Sequence, residues 1–153
     1  MLEVEFIEIF IRAMPEQVLL VIGSYILSKT KLNEKRILIS GFVMGVALYA
    51  FRLLPVQFGV HTLFGICLLA VLNYKVNKIN IIKSIQVSAI NYIILFVSET
   101  ILIFILQLLK INLDAVFADP ILKTLIGTPS LLIYAIFIYI IDRIQKVHNK
   151  KLY

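Results

Sequence analysis

The chain has 153 residues, is 61% hydrophobic, has a mean hydropathy of +0.98 and carries a formal net charge of +6. A soluble domain is roughly 45–50% apolar, and so short a chain buries only part of its surface, so the composition excludes an ordinary water-soluble globule. The basic residues flank apolar runs, which assigns them to orientation and contact with anionic headgroups rather than to nucleic acid.

The first apolar segment runs from Val4 to Leu27 and is interrupted by Arg12, Pro15 and Glu16. The opening MLEVEFIEIF has three glutamates and no Lys or Arg, unlike a cleavable signal peptide, so the segment is expected to remain as a membrane helix. Pro15 removes a backbone donor and disfavours helical geometry at Met14. Two arrangements fit: an interfacial helix over Leu2–Ala13 followed by a short span from Pro15, or one kinked helix. The second segment, Ile37–Leu54, stops at Pro55, and the third covers Val56–Tyr74. The fourth, Ile81–Leu109, is long enough to tilt in a bilayer. The fifth starts at Pro129, which suits a first helical turn, and reaches Ile141. A tail from Asp142 can extend that helix. In the loop before it, Leu113, Val116, Phe117, Ile121 and Leu122 suit an interfacial turn around Asp119 and Pro120.

These runs lack the alternation of barrel strands, and helices satisfy their own backbone groups in lipid. The expected fold is all-α: one polytopic helix bundle over residues 1–153 with about five transmembrane helices. With five spans, one side of the membrane receives Lys29, Lys31, Lys35, Arg36, Lys75, Lys78, Lys83, Arg143, Lys146, Lys150 and Lys151. The other side receives Arg12, Arg52, Lys110 and Lys123. The positive-inside rule makes the first side cytoplasmic, with the N-terminus outside and the C-terminus inside.

Ionisable groups within spans cost roughly 2.5–3.5 kcal/mol each at mid-helix, so they face the bundle interior and pair. Arg12, Glu16, Arg52, His61 and Glu99 all fall in the outer half of this topology. Such a cluster serves either as an outward-facing ligand pocket or as an ion-pair network that locks helices together. Arg12 and Glu16, four apart, can pair on one helix face. Gln57, Gln86, Asn91 and Gln107 are candidates for interhelical hydrogen bonds. Gly41 and Gly45 form a small-xxx-small motif for close helix packing, within the bundle or at a dimer face.

Catalytic and metal signals are weak. His61 and His148 lack partners at metal-ligand spacing, and no phosphate-cradling glycine loop is present. Cys67 and His61 are six apart and so about 120° apart around one helix, which rules against a nucleophile pair. Cys67 reads as a small buried apolar residue. No enzyme activity, metal or cofactor is expected. The expected partners are the lipid bilayer, a protein in the membrane or cytoplasm, and a possible second copy of the chain.

Two turns carry a family resemblance. Arg52-Leu53-Leu54-Pro55-Val56-Gln57-Phe58-Gly59-Val60-His61-Thr62, and the earlier Arg12-Ala13-Met14-Pro15-Glu16, resemble the N-terminal membrane domains of Firmicute sensor histidine kinases with a GHKL-type ATPase domain. The chain departs from that pattern at Tyr153, with no phosphoacceptor helix or ATP-binding domain. The resemblance therefore implies a sensor-like or signalling module without a catalytic domain of its own, either standing alone or as a fragment. A small transport component and a structural subunit of a membrane complex are the alternatives.

Overall fold

In a computed structural model, residues 12–52, 58–111 and 120–150 are described, and all regular structure among them is helical. The helices are α1 (Met14–Ser28), α2 (Glu34–Arg52), α3 (Phe58–Lys75), α4 (Ile81–Leu108), α5 (Pro120–Gly127) and α6 (Pro129–Lys150). The expected helix over Leu2–Ala13, the turn at Pro55 and most of the interfacial turn around Asp119 lie outside the described residues.

The first helix starts at Met14 with Pro15 in its first turn, where a missing N–H costs nothing. A wider π-type turn at 12–13 leads into it. The last helix runs to Lys150, well past the expected end at Ile141, because the tail residues continue its helical register. Two linkers hold the described helices in sequence. Asn33 Oδ1 accepts the Arg36 N–H at 3.2 Å and starts α2. Asn80 Oδ1 accepts the Ile82 N–H at 3.1 Å and starts α4.

Lys29 and Lys78, in these linkers, and Lys110, after α4, all have positive φ, at 56°, 56° and 54°. Glycine adopts this left-handed region freely, whereas a side chain there costs roughly 1–2 kcal/mol.

The central element is α1. It packs against α2, α4 and α6 and touches α3, while α4 packs on α3 and α6 as well. The interior mixes an apolar core, which includes Leu20, Val21, Met44 and Leu69, with buried polar residues, and large apolar side chains also cover the outside. Phe96 on α4 is 70% exposed, whereas Asn91 on the same helix is fully buried. Leu38, Phe42, Ile93, Leu132 and Ile136 also face outward, while Ser24, Ser40, Asn73, Ser84, Ser88 and Ser130 face inward. Cys67 is exposed on α3, not buried as its residue type suggested, because apolar and weakly polar side chains cover the outside of this bundle.

Two helical stretches are long and apolar enough to cross a membrane: Ile81–Leu108 with a mean hydropathy of 2.2 and Thr124–Val147 with 2.0. Met14–Ser28 and Val60–Lys75 are apolar but shorter.

Gly41 and Gly45 face α1. A Cβ at Gly41 would stand 2.8 Å from Val18 Cγ2 and 3.3 Å from the Val18 Cα, so α2 lies against the α1 backbone there. At Gly45 the nearest atom would be Met14 Sδ at 3.0 Å, the end of a flexible chain. Gly41→Val is therefore expected to push α1 and α2 apart at a cost of about 1–3 kcal/mol, and Gly45→Ala to cost less than about 1 kcal/mol. Unfolding of the detergent-solubilised variants measures both, and equal losses would contradict this packing.

Candidate functional site

Two polar assemblies sit inside the apolar shell. The larger is a hydrogen-bonded spine. The Tyr134 hydroxyl on α6 donates to Asn91 Oδ1 on α4 at 2.8 Å. Asn91 Nδ2 donates to Ser24 Oγ at 2.8 Å and to the Leu20 carbonyl at 3.0 Å, both on α1. Ser24 Oγ also accepts from Asn73 Nδ2 on α3 at 2.9 Å and donates to the Leu20 carbonyl at 3.0 Å. Its one proton and both lone pairs are thus used.

From Asn73 the spine turns toward the α3–α4 linker. Asn73 Nδ2 donates to Ser88 Oγ at 3.2 Å, and Asn73 Oδ1 accepts from Asn77 Nδ2 at 2.9 Å. Asn77 Oδ1 accepts from the Tyr25 hydroxyl at 3.1 Å and from Ser40 Oγ at 3.0 Å. The spine therefore joins α1, α2, α3, α4 and α6. Gly23 makes it possible: any Cβ there would meet the Tyr134 hydroxyl and, at 2.5 Å, Asn91 Oδ1.

The second assembly contains the sequence-predicted residues. Arg12 Nη2 meets Glu99 Oε1 at 2.9 Å, which joins the lead-in to α1 with α4. The pair is partly accessible, with the side chains 20% and 38% exposed. Arg12 also lies over the end of α5, where a Cβ on Gly127 would stand 2.5 Å from its Nη1. The guanidinium thus sits at the carbonyl end of α5, the end that favours cations.

Just beyond Gly127, Pro129 interrupts the hydrogen-bond ladder between α5 and α6. Neighbouring hydroxyls take up carbonyls at the break: Thr128 Oγ1 donates to the Thr124 carbonyl at 2.8 Å and Ser130 Oγ to the Gly127 carbonyl at 2.7 Å. The Thr128 N–H reaches the Leu125 carbonyl at 3.3 Å, which proline cannot serve.

Glu16 accepts from Gln17 Nε2 at 3.3 Å and lies within electrostatic reach of Tyr134. Gln17 is buried, and its Oε1 has no hydrogen-bond partner among the described residues. His61 stands apart, on the first turn of α3. Its ring meets the edge of Phe51 at 5.3 Å and 90°, and Phe51 stacks on Phe64 at 4.1 Å. His61 Nδ1 is buried and unpartnered among the described residues. Arg52 ends α2 next to Phe51, and its side chain lies outside the described residues. The structure thus brings Arg12 and Glu99 together, places Glu16 beside Gln17, and gives no described bond that links His61 to them. Among the described residues no cluster of His, Cys, Asp or Glu is fit to hold a metal ion.

Of the polar residues noted from sequence, Asn91 is in the spine, whereas Gln86 and Gln107 are exposed and make no hydrogen bond among the described residues. Gln57 lies outside them. Sequence reasoning passed over Ser24, Tyr25, Ser40, Asn73, Asn77, Ser88 and Tyr134. A signal was present on α4, where Ser84, Ser88, Asn91 and Ser98 recur at helical spacing.

Compared with known protein families, with curated proteins and with solved structures, the chain matches none.

Replacing Asn91 by Leu strands the buried Tyr134 hydroxyl and is expected to cost about 1–3 kcal/mol, as is Tyr134→Phe, which leaves Asn91 Oδ1 unpaired. The double variant should cost clearly less than the two single losses together. Unfolding in detergent reads all three, and strictly additive losses would show that the two residues do not act through one bond.

Proposed function

We propose that the chain is a multi-pass membrane bundle of about five spans that acts as a sensor-like module, with the Arg12–Glu99 pair as its ligand-responsive latch. The observation that carries this reading is the position of the pair. It is half-open to the surroundings, it holds the start of the central helix to α4, and it abuts Gly127 beside the break into α6. The last helix continues into the tail at Lys150. A ligand or lipid that competes for either partner of the pair would release α1 and α6 together, and the tail would carry the change to a protein partner.

The membrane setting rests on exposure as well as hydropathy. In the most apolar parts of Ile81–Leu108 and Thr124–Val147 only 17% and 28% of residues are buried. A core helix of a soluble protein would be mostly covered. The short α1, at about 22 Å, reaches the roughly 30 Å of a hydrocarbon core only together with the residues before it. Eleven basic residues on one side favour a cytoplasmic C-terminus and an N-terminus outside. The resemblance to membrane domains of GHKL-type sensor kinases points the same way. Transport is less favoured, because backbone carbonyls at the Pro129 break are taken by Thr128 and Ser130 rather than turned to a substrate.

The test is a distance measurement between spin labels at Ile82 on α4 and Val147 on α6, in a Cys67→Ser chain in liposomes. Glu99→Gln is expected to shift the distance by about 2 Å or more, or to add a second population. A single unchanged distance, in a variant that still folds, would reduce the pair to a static strut and remove the basis for the sensor reading.

A further inference from the structure

The α1–α2 and α3–α4 connections and the helix turns beside them, at the end of the bundle opposite the latch, carry seven cations: Lys29, Lys31, Lys35, Arg36, Lys75, Lys78 and Lys83. All are exposed except the half-buried Arg36. The spine gathers them. Asn77, next to Lys78, bonds both Tyr25, one turn before Lys29, and Ser40, one turn after Arg36. Arg36 itself lies within electrostatic reach of the Tyr25 phenol.

These charges have little internal compensation. Between Glu16 and Glu99 the chain's sole acidic residue is Glu34, and none of the seven cations forms an ion pair among the described residues. Two further features set them apart from ordinary solvated lysines. Lys35 and Arg36 lie in the first turn of α2 and Lys83 in the first turn of α4, the helix end where the dipole repels a cation. Lys29 and Lys78 hold left-handed backbone at φ 56°, where glycine would be unstrained. Helix electrostatics thus disfavours a cation at Lys35, Arg36 and Lys83, and backbone geometry disfavours a side chain at Lys29 and Lys78. An external anion offsets the first of these costs.

We propose that this end of the bundle is a binding surface for the phosphate headgroups of anionic lipids in the adjoining leaflet. The lysines are placed around the linkers, at the level where helices leave the apolar layer, so a sheet of phosphates rather than a single ion matches their spread. The proposal rests on the membrane reading above but not on the latch.

The experiment compares the native chain with a Lys29→Gly/Lys78→Gly variant in vesicles of phosphatidylcholine alone and of phosphatidylcholine mixed with phosphatidylglycerol. Native mass spectrometry of detergent extracts counts the retained lipid. Glycine relieves the left-handed backbone, so the variant is expected to unfold no sooner than the native chain in neutral detergent. Each lysine near an anionic surface strengthens binding about fivefold, so the variant's preference for phosphatidylglycerol is expected to fall roughly 30-fold. Equal retention by both chains, or no preference in the native chain, would overturn the proposal. Stabilisation of the native chain by inorganic phosphate to the same degree would also overturn it, in favour of a soluble anion. A chain that fails to float with phosphatidylcholine vesicles would overturn the membrane reading itself, whereas one that floats without lipid preference overturns this proposal alone.

Discussion

Ser24 is the point on which the helix arrangement depends. Its hydroxyl occupies one donor and two acceptor directions at once, and the partners come from α3, α4 and its own helix. In an apolar setting, packing between helices gains little from the hydrophobic effect, because lipid is as apolar as leucine. Direction must then come from groups that are costly to leave unpaired. The spine from Tyr134 to Asn77 supplies it, since each amide along it meets a partner only when five helices are in register. Individual bonds of this kind are worth about 0.6 kcal/mol each. Their weight lies in the larger cost of satisfying only some of them.

The Arg12–Glu99 pair has a different character. It is partly accessible, at the end of the helix bundle beside the proline break between α5 and α6. Polar groups in the spine are buried and hydrogen-bonded to one another, whereas the ion pair is partly open. One end of the molecule is thus closed and hydrogen-bonded and the other partly open, with α1 running between them.

The helices were legible in the sequence because hydropathy acts over whole runs of residues. Ile81–Leu109 was expected and Ile81–Leu108 is found. Long-range choices were not legible. Arg12 had two acidic candidates, Glu16 at helical spacing and Glu99 at a distance of 87 residues, and local spacing says nothing about the second. The spine escaped notice for a related reason. Serine and asparagine are small and unremarkable one at a time, and Asn77 lies in a linker where polar residues are ordinary. Their meaning appears only when residues 24, 73 and 91 meet. Cys67 shows the opposite error: its residue type placed it inside, and in this bundle apolar residues cover the outside as well as the core.

The order in which the spine's members are synthesised has a consequence for how the protein is made. α1 emerges first, yet the partners of Ser24 and Tyr25 are Asn73, Asn77 and Asn91, and Asn91 in turn awaits Tyr134. On the membrane reading, the central helix is therefore a poor lone guest of the bilayer for most of translation. Its polar face must stay near water, the insertion machinery or a chaperone until α4 arrives, and the bundle closes only when α6 leaves the ribosome. Premature release of α1 into lipid is thus the step at which biogenesis of this chain is most exposed to failure.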